Sequence, residues 1–190
     1  TLNLLDCLLE FKIRYFIFSS SAAVYGQPLK TPIPEEHPLN PINPYGATKF
    51  MVERMLQDYD RAYGLKYISL RYFNAAGADP EGQLGECHQP ETHLIPNLLL
   101  YFLGKKENFM VYGYDFPTRD GTAIRDYIHV TDLARAHVLA LDRLVSENSS
   151  QVLNLGSSRG YSVLEVIKET ERVTGLTRPI NFGQRREGDV

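Results

Sequence analysis

The sequence lacks tryptophan and contains two cysteines, Cys7 and Cys87, among its 190 residues. Two cysteines cannot build the disulfide framework that is typical of small secreted domains. No apolar run is long enough to span a membrane, and no secretory signal pattern is visible. These absences favour a reducing compartment, and we expect a cytoplasmic protein.

Neither sign of charge is in clear excess, because 20 Lys and Arg stand against 23 Asp and Glu, for a net charge of −3. This balance offers no basic surface that would attract nucleic acid or an anionic membrane. Hydrophobic residues make up 43% of the chain. A chain of this length and composition can bury a sizeable core.

The glycines form no Gly-x-Gly-x-x-Gly or Gly-x-x-Gly-x-x-Gly motif anywhere in the sequence. A dinucleotide-binding fold places that loop directly after its first strand. The chain begins at Thr1, not at Met, and enters an amphipathic helical pattern at once. The sequence therefore contains no dinucleotide-binding fingerprint.

A short apolar run from Tyr15 ends in the hydroxyls of Ser19, Ser20 and Ser21, which predicts a buried strand with serines at its carboxyl end. After a proline-rich loop, Asn43 and Pro44 are suited to the N-cap and first turn of a helix. Gly64 is suited to end that helix.

Tyr45 and Lys49 then lie one turn apart on the same helical face. A nearby cation favours the ionised form of a phenol, so such a pair can act as a base. A Tyr-x-x-x-Lys pair is weak by itself in a chain with 12 tyrosines. The serines at the end of the strand and the Pro-Tyr-Gly opening favour a catalytic Tyr45 and Lys49 assisted by a nearby serine hydroxyl.

These two stretches resemble the extended short-chain dehydrogenase/reductases. The resemblance extends over essentially the whole chain, and its motifs lie at Ser19 to Gly26, Asn43 to Lys49, Arg71 to Gly77, Asp120 to Val130 and Arg185 to Asp189. It implies an α/β fold with a Rossmann-like parallel sheet, of which the N-terminal half is missing, and a smaller C-terminal α/β substrate-binding region.

In domain terms, the resemblance implies that residues 1–75 form the C-terminal half of an NAD-binding domain. Residues 76–190 would then form mainly a UDP-sugar-binding region, with about 120–156 returning to the first domain. The family also pairs the helix from Pro44 to Tyr63 with its neighbour in a dimer, which implies a homodimer.

The resemblance implies epimerisation at carbon 4 of a UDP-hexose by transient oxidation with bound NAD. Ser21, Tyr45 and Lys49 would be catalytic and would contact NAD together with Tyr72 and Phe73. The UDP-sugar substrate would contact Asn74, His93, Leu94, Tyr112, Arg125, Arg186 and Asp189. The family usually has Asn at the position of His93, so this residue departs from its pattern.

Three alternatives stay open. UDP-N-acetylhexosamine or UDP-pentose epimerisation would use the same base. A 4,6-dehydratase is disfavoured, because that class carries an acid pair just after the strand-end hydroxyl, where this chain has Ala22 and Ala23. The isolated chain is also compatible with an inactive nucleotide-sugar-binding module.

Further expectations concern histidines and one helix. Cys87, His88 and His93 lack the second ligand pair of a structural zinc site, so we expect no metal. His37 is expected to face solvent in the proline-rich loop. Thr131 is expected to cap a helix that points Ala134, Val138 and Leu141 inward.

Overall fold

The computed structural model describes residues 1–186. The helices are α1 (Leu2–Glu10), α2 (Pro44–Tyr63), α3 (Leu94–Phe102), α4 (Val130–Glu147) and α5 (Val163–Thr174), with a 3₁₀ helix at Ala22–Tyr25. The strands are β1 (Tyr15–Ser21), β2 (Lys66–Tyr72), β3 (Asn74–Ala76), β4 (Met110–Tyr112), β5 (Ile124–His129), β6 (Gln151–Leu155), β7 (Gly160–Ser162) and β8 (Asn181–Gly183).

The main sheet has the strand order β1-β2-β6, and its strands are all parallel. Side chains of β2 alternate between the two faces, so Tyr67 joins Leu5 and Leu56 beneath α1 and α2. Ile68 and Leu70 lie on the other face with Leu144 of α4. A parallel strand covered on both faces is the Rossmann-like arrangement that the sequence predicts.

The rest of the chain forms two smaller sheets, β3-β5-β7 and β4-β8. Helices α3 and α5 pack beside them around a core that includes Leu98, Phe102, Val111 and Ile167. Residues 151–155 return to the main sheet as β6. The domain boundary near residue 75 stays a prediction. Within residues 1–186, no helix combines the length and hydropathy that a membrane crossing takes.

Helix α2 begins and ends where the sequence predicts. The Asn43 side chain accepts a hydrogen bond from the Gly46 backbone amide at 2.8 Å, and Pro44 occupies the first turn. Gly64 ends the helix in the left-handed conformation with φ of 73°. The cap fixes the start of α2, and therefore the position of Tyr45, from local sequence alone.

His37 is buried, which corrects the expectation that it faces solvent. Its Nε2 accepts from the Leu29 amide at 3.0 Å, and its Nδ1 donates to the Pro38 carbonyl at 2.8 Å. Its ring also meets the edge of Tyr25, with the ring centres 5.4 Å apart. The proline-rich loop therefore folds back on its own histidine.

Helix α4 also differs from its prediction. His129, not Thr131, is the N-cap, because its Nδ1 accepts from the Thr131 amide. Val138 and Leu141 are 62% and 45% exposed, whereas Leu144 is fully buried. The helix turns this way because His137 faces the sheet, where its Nε2 lies 3.0 Å from Ser19 Oγ.

A buried ion pair joins α2 to β2. The Arg71 guanidinium donates from Nε and Nη2 to the two carboxylate oxygens of Glu53, at 2.9 and 2.6 Å. Ser20 Oγ of β1 donates to the same carboxylate at 2.5 Å. The side chains of Arg71 and Glu53 are 4% and 1% exposed, so each charge depends on the other to offset its desolvation.

We expect Glu53→Gln to lower the free energy of unfolding by about 3–5 kcal/mol, because it leaves the Arg71 guanidinium buried without its charged partner. Urea denaturation measures the change. The neighbouring Arg54→Ala is the control, since its ion pair with Asp58 is exposed and 3.7 Å long. The control should cost no more than about 0.5 kcal/mol. Equal losses in the two variants would contradict the role given to the buried pair.

Candidate active site

Ser21 is the last residue of β1 and the N-cap of the 3₁₀ helix that follows. Its Oγ accepts from the Ala23 backbone amide at 3.1 Å, which fixes the rotamer, and the residue is 8% exposed. The hydroxyl keeps its own proton to donate elsewhere. Because β1 is parallel to its neighbour, Ser21 lies at the edge of the sheet where ligands bind in open α/β folds.

Tyr45 and Lys49 lie on the first turns of α2. The Lys49 Nζ is 5.6 Å from the centre of the Tyr45 ring and 5.3 Å from the centre of the Phe18 ring. It also donates to the Ser19 carbonyl at 2.9 Å, so the ammonium is held against the end of β1. Tyr45 remains 53% exposed and presents its phenol to the adjoining cleft.

Gly46 brings the tyrosine helix close to the serine segment. A Cβ at this position would lie 2.4 Å from the Ala23 carbonyl oxygen, which is far inside van der Waals contact. A larger residue would therefore push the start of α2 away from the 3₁₀ helix. The glycine is needed for close approach, and it places Tyr45 beside the segment that carries Ser21.

The buried ion pair of Glu53 and Arg71 also holds the 3₁₀ helix that follows Ser21. Arg71 Nη1 donates to the Tyr25 hydroxyl at 2.8 Å, and that hydroxyl donates to Asn154 Oδ1 of β6 at 2.7 Å. Burial raises the pKa of the Tyr25 phenol above its ordinary value. Burial also acts to lower the pKa of Arg71, but the hydrogen bonds that Arg71 donates to Glu53 and Tyr25 raise it overall. Both groups therefore keep the protonation states on which the network depends.

The same network holds the proline-rich loop over the sheet. The Asn154 side chain donates to the Ile33 carbonyl at 2.8 Å, and its backbone amide donates to Glu35 Oε1 at 2.9 Å. Arg71 Nη1 reaches the Glu35 carbonyl at 3.2 Å. One wall of the adjoining cleft is thus fixed by bonds to the sheet, although the loop has no helix or strand of its own in this stretch.

A cleft of about 1940 Å³ opens above the carboxyl ends of β1, β2 and β6. Small-molecule sites are commonly about 300–1,000 Å³, so this cleft has room for more than one nucleotide-sized ligand. The predicted site residues that line it are Ser21, Tyr45, Tyr72, Phe73, Asn74, His93 and Arg125. The fold thus gathers residues that are up to about a hundred positions apart in the sequence.

Other predicted residues lie elsewhere. Lys49 is behind the Tyr45 ring, and Leu94 begins α3; neither is part of the cleft lining. The Arg186 guanidinium lies 5.2 Å from the centre of the Tyr112 ring, and these two also lie outside the lining. Its neighbour Arg185 lines the cleft and bonds Asp115 Oδ1 at 2.6 Å. Asp189 falls outside the described residues.

Sequence reasoning missed the supporting residues Glu53, Arg71 and Tyr25. A signal for the first was present, because Glu53 interrupts the apolar stripe of Val52, Met55 and Leu56. A charged residue among core positions calls for a buried partner. The sequence does not indicate which Lys or Arg is the buried partner of Glu53. The sequence pattern also did not reveal a group of four potential metal ligands, Glu86, His88, Glu91 and His93, of which Glu86, His88 and His93 line the cleft.

The chain is similar to proteins of known family. The model of the NAD dependent epimerase/dehydratase family matches residues 1–156. The UDP-glucose 4-epimerase of Lactobacillus helveticus is 50% identical over 188 residues, which are 99% of this chain and 57% of that protein. The chain therefore spans a little more than half the length of this relative.

Solved structures show the same likeness. The UDP-glucose 4-epimerase of Brucella ovis, in complex with NAD, is 52% identical with a TM-score of 0.93, over 98% of this chain and 57% of that one. The enzyme of Bifidobacterium longum, in complex with NAD⁺ and UDP, is 41% identical with a TM-score of 0.92, over 100% and 57%. With a family model that matches most of its length, the chain belongs to the NAD dependent epimerase/dehydratase family.

Proposed function

We propose that this chain supplies the catalytic serine, tyrosine and lysine of a UDP-hexose 4-epimerase that works with bound NAD. Two observations carry the proposal: Ser21 and Tyr45 line the same cleft, and the Lys49 ammonium lies 5.6 Å from the centre of the Tyr45 ring and bonds the Ser19 carbonyl of β1. The names of the similar proteins, UDP-glucose 4-epimerases among them, supply the substrate class.

The residues present suit the nicotinamide end of NAD. Tyr72 and Phe73 line the cleft next to Ser21 and Tyr45, at the strand ends where dinucleotides bind in this class of sheet. When bound, NAD would take up and return the hydride of the sugar carbon 4. The glycine loop that cradles its pyrophosphate is not in the sequence, so the chain holds part of the cofactor site.

Tyr45 acts as the base in this proposal. Its phenolate removes the proton of the sugar 4-hydroxyl, directly or through the hydroxyl of Ser21. The Lys49 ammonium, held by the Ser19 carbonyl, stabilises the phenolate by its charge. The 4-keto sugar then turns within the cleft, and the phenol returns its proton when carbon 4 is reduced on the opposite face.

The UDP end has to be bound more firmly than the hexose. Arg125 and Arg186 are assigned to the pyrophosphate, since a guanidinium binds phosphate with paired hydrogen bonds. Asn74, His93, Leu94, Tyr112 and Asp189 are assigned to the nucleotide. Arg125, Asn74 and His93 line the cleft, which supports their part of the assignment.

The wall beside Ser21 favours epimerisation over dehydration. Ala22 and Ala23 line the cleft there and can neither give nor take a proton. Elimination of water needs an acid and a base at this place, whereas epimerisation needs no acid or base beyond Tyr45 and Ser21. UDP-N-acetylhexosamines and UDP-pentoses remain alternative substrates of the same base.

A homodimer in the cytoplasm is part of the proposal. Exposed apolar side chains on α1 and α2, namely Leu2, Leu4 and Met51, support an interface there. The two helices already pack together through Leu5 and Leu56 and through the bond of the Tyr59 hydroxyl to Asp6, at 2.6 Å.

Activity can be tested in a chimaera in which this chain replaces the matching segment of the Lactobacillus helveticus relative. We expect conversion of UDP-galactose, and we expect Tyr45→Phe to lower kcat by about 10²–10⁴ because it removes the proton acceptor. Tyr63→Phe is the matched control, since Tyr63 is 64% exposed at the far end of α2. A Tyr45→Phe chimaera as fast as its parent would refute the assignment of the base.

Ligand binding can be tested on the chain itself by calorimetric titration. We expect UDP to bind through the cleft residues and NAD to bind weakly, because the sequence has no glycine loop for the pyrophosphate. Arg125→Met should weaken UDP binding about tenfold or more, since a charge-assisted contact is worth about 1.5–3 kcal/mol. Tight NAD binding by this chain would contradict the partial cofactor site.

A further inference from the structure

Four metal-ligating side chains converge on the loop that precedes α3. They are Glu86, His88, Glu91 and His93, and one ligand atom from each lies within 4.8 Å of all the others. By themselves, Cys87, His88 and His93 predict no metal, because they lack a second ligand pair. That prediction rests on three residues. It left out the two carboxylates, which the loop brings to the same point as the imidazoles.

The distances among these atoms suit a single ion. His93 Nδ1 lies 2.5 Å from Glu86 Oε1 and 3.0 Å from Glu91 Oε1. His88 Nδ1 lies 2.9 Å from Glu86 Oε1 and 3.8 Å from Glu91 Oε2. Tetrahedral zinc with bonds of about 2.0–2.1 Å places its ligands about 3.3 Å apart. These four distances bracket that value, and the remaining pairs of ligand atoms lie within 4.8 Å, so adjustment of the side chains around an ion would complete the geometry.

Hydrogen bonding alone explains the cluster less well. An imidazole nitrogen carries at most one proton, which points in one direction. Each Nδ1 here faces a carboxylate oxygen from Glu86 and another from Glu91. A proton on either nitrogen can serve one of these oxygens well, whereas one cation at the centre serves two nitrogens and two carboxylates together.

The carboxylate of Glu91 is held in place by its surroundings. Its Oε1 accepts from the backbone amides of Thr92 and His93 at 2.7 and 2.8 Å, and its side chain is 9% exposed. The Glu91 carbonyl accepts from the side chain of the buried Asn97 at 3.0 Å. Such outer contacts orient a ligand before the ion arrives.

We propose that Glu86, His88, Glu91 and His93 form a zinc-class metal site on the wall of the cleft. Two imidazole nitrogens favour Zn²⁺ over Mg²⁺ and Ca²⁺, which take oxygen ligands. Four protein ligands leave no open position, so the ion is structural, and it ties the 86–93 loop into the wall that His88 and His93 line. The proposal does not depend on the proposed epimerase activity.

The test is titration of the untagged, metal-free chain with zinc chloride at pH 7.5, followed by calorimetry and by metal analysis after dialysis. We expect one zinc per chain, at micromolar affinity or tighter. Co²⁺ in place of zinc should give the visible absorption of a four-coordinate ion. His88→Gln and His93→Gln should each weaken zinc binding tenfold or more. Their circular dichroism without metal should match that of the parent, since both side chains are on the surface of a loop.

Cys87→Ser is the matched control, because the exposed thiol lies next in sequence to two of the ligands but outside the cluster. It should leave zinc binding unchanged. The proposal is overturned if the chain retains no zinc, if Mg²⁺ binds as tightly, if both histidine variants bind zinc like the parent, or if Cys87→Ser abolishes binding.

Discussion

The buried pair of Glu53 and Arg71 is the constraint on which the rest of the site depends. It joins the middle of α2 to the end of β2, and through Ser20 it also reaches the end of β1. Three elements are thereby fixed next to Ser21 and Lys49, two of the residues that are proposed to be catalytic. An ion pair of this kind is costly to bury, and a pair of apolar residues would often stabilise a core as well. Its directional bonds specify the relative placement of helix and strand, which a catalytic site needs.

The proposed chemistry requires that the UDP end of the substrate be bound firmly and the hexose end loosely. In the proposed complex, the sugar end would meet the phenol of Tyr45, the hydroxyl of Ser21 and the small side chains of Ala22 and Ala23. Strong bonds to the hexose would oppose its rotation between two faces, so an apolar, roomy wall is suitable there. The charges assigned to the pyrophosphate come from the later part of the chain, from Arg125 onward. In this proposal, the residues that would bind the pyrophosphate firmly and those that would contact the hexose loosely come from different parts of the chain.

The ends of two helices could be predicted from a few neighbouring residues in the sequence. The start and end of α2 follow from Asn43, Pro44 and Gly64, and the capping box of α5 follows from Ser162 and Glu165. Ser21 lines the cleft because a parallel sheet brings its strand ends to one edge, and Tyr45 lines it from the first turn of α2; their catalytic roles stay predictions.

Long-range contacts were what the sequence could not show. His37 looked like an exposed loop residue, but the loop folds back so that its own amide and carbonyl groups bond the ring. The prediction of the inward face of α4 was wrong, since both faces carry apolar residues. The face that packs on the sheet is the one with His137, which contacts Ser19. The sequence pattern does not predict that Glu86 and Glu91 lie beside two histidines, because the conformation of the loop brings them together.

The central claim is that Tyr45 and Ser21 move the proton of a sugar hydroxyl whose carbon is oxidised and then reduced in the same cleft. It is tested most directly by giving the chimaera UDP-galactose labelled with deuterium at carbon 4 and following the label by NMR. The account predicts UDP-glucose that keeps its deuterium at carbon 4, with no net NADH. Loss of the label to water, or release of a 4-keto-6-deoxy sugar, would contradict it.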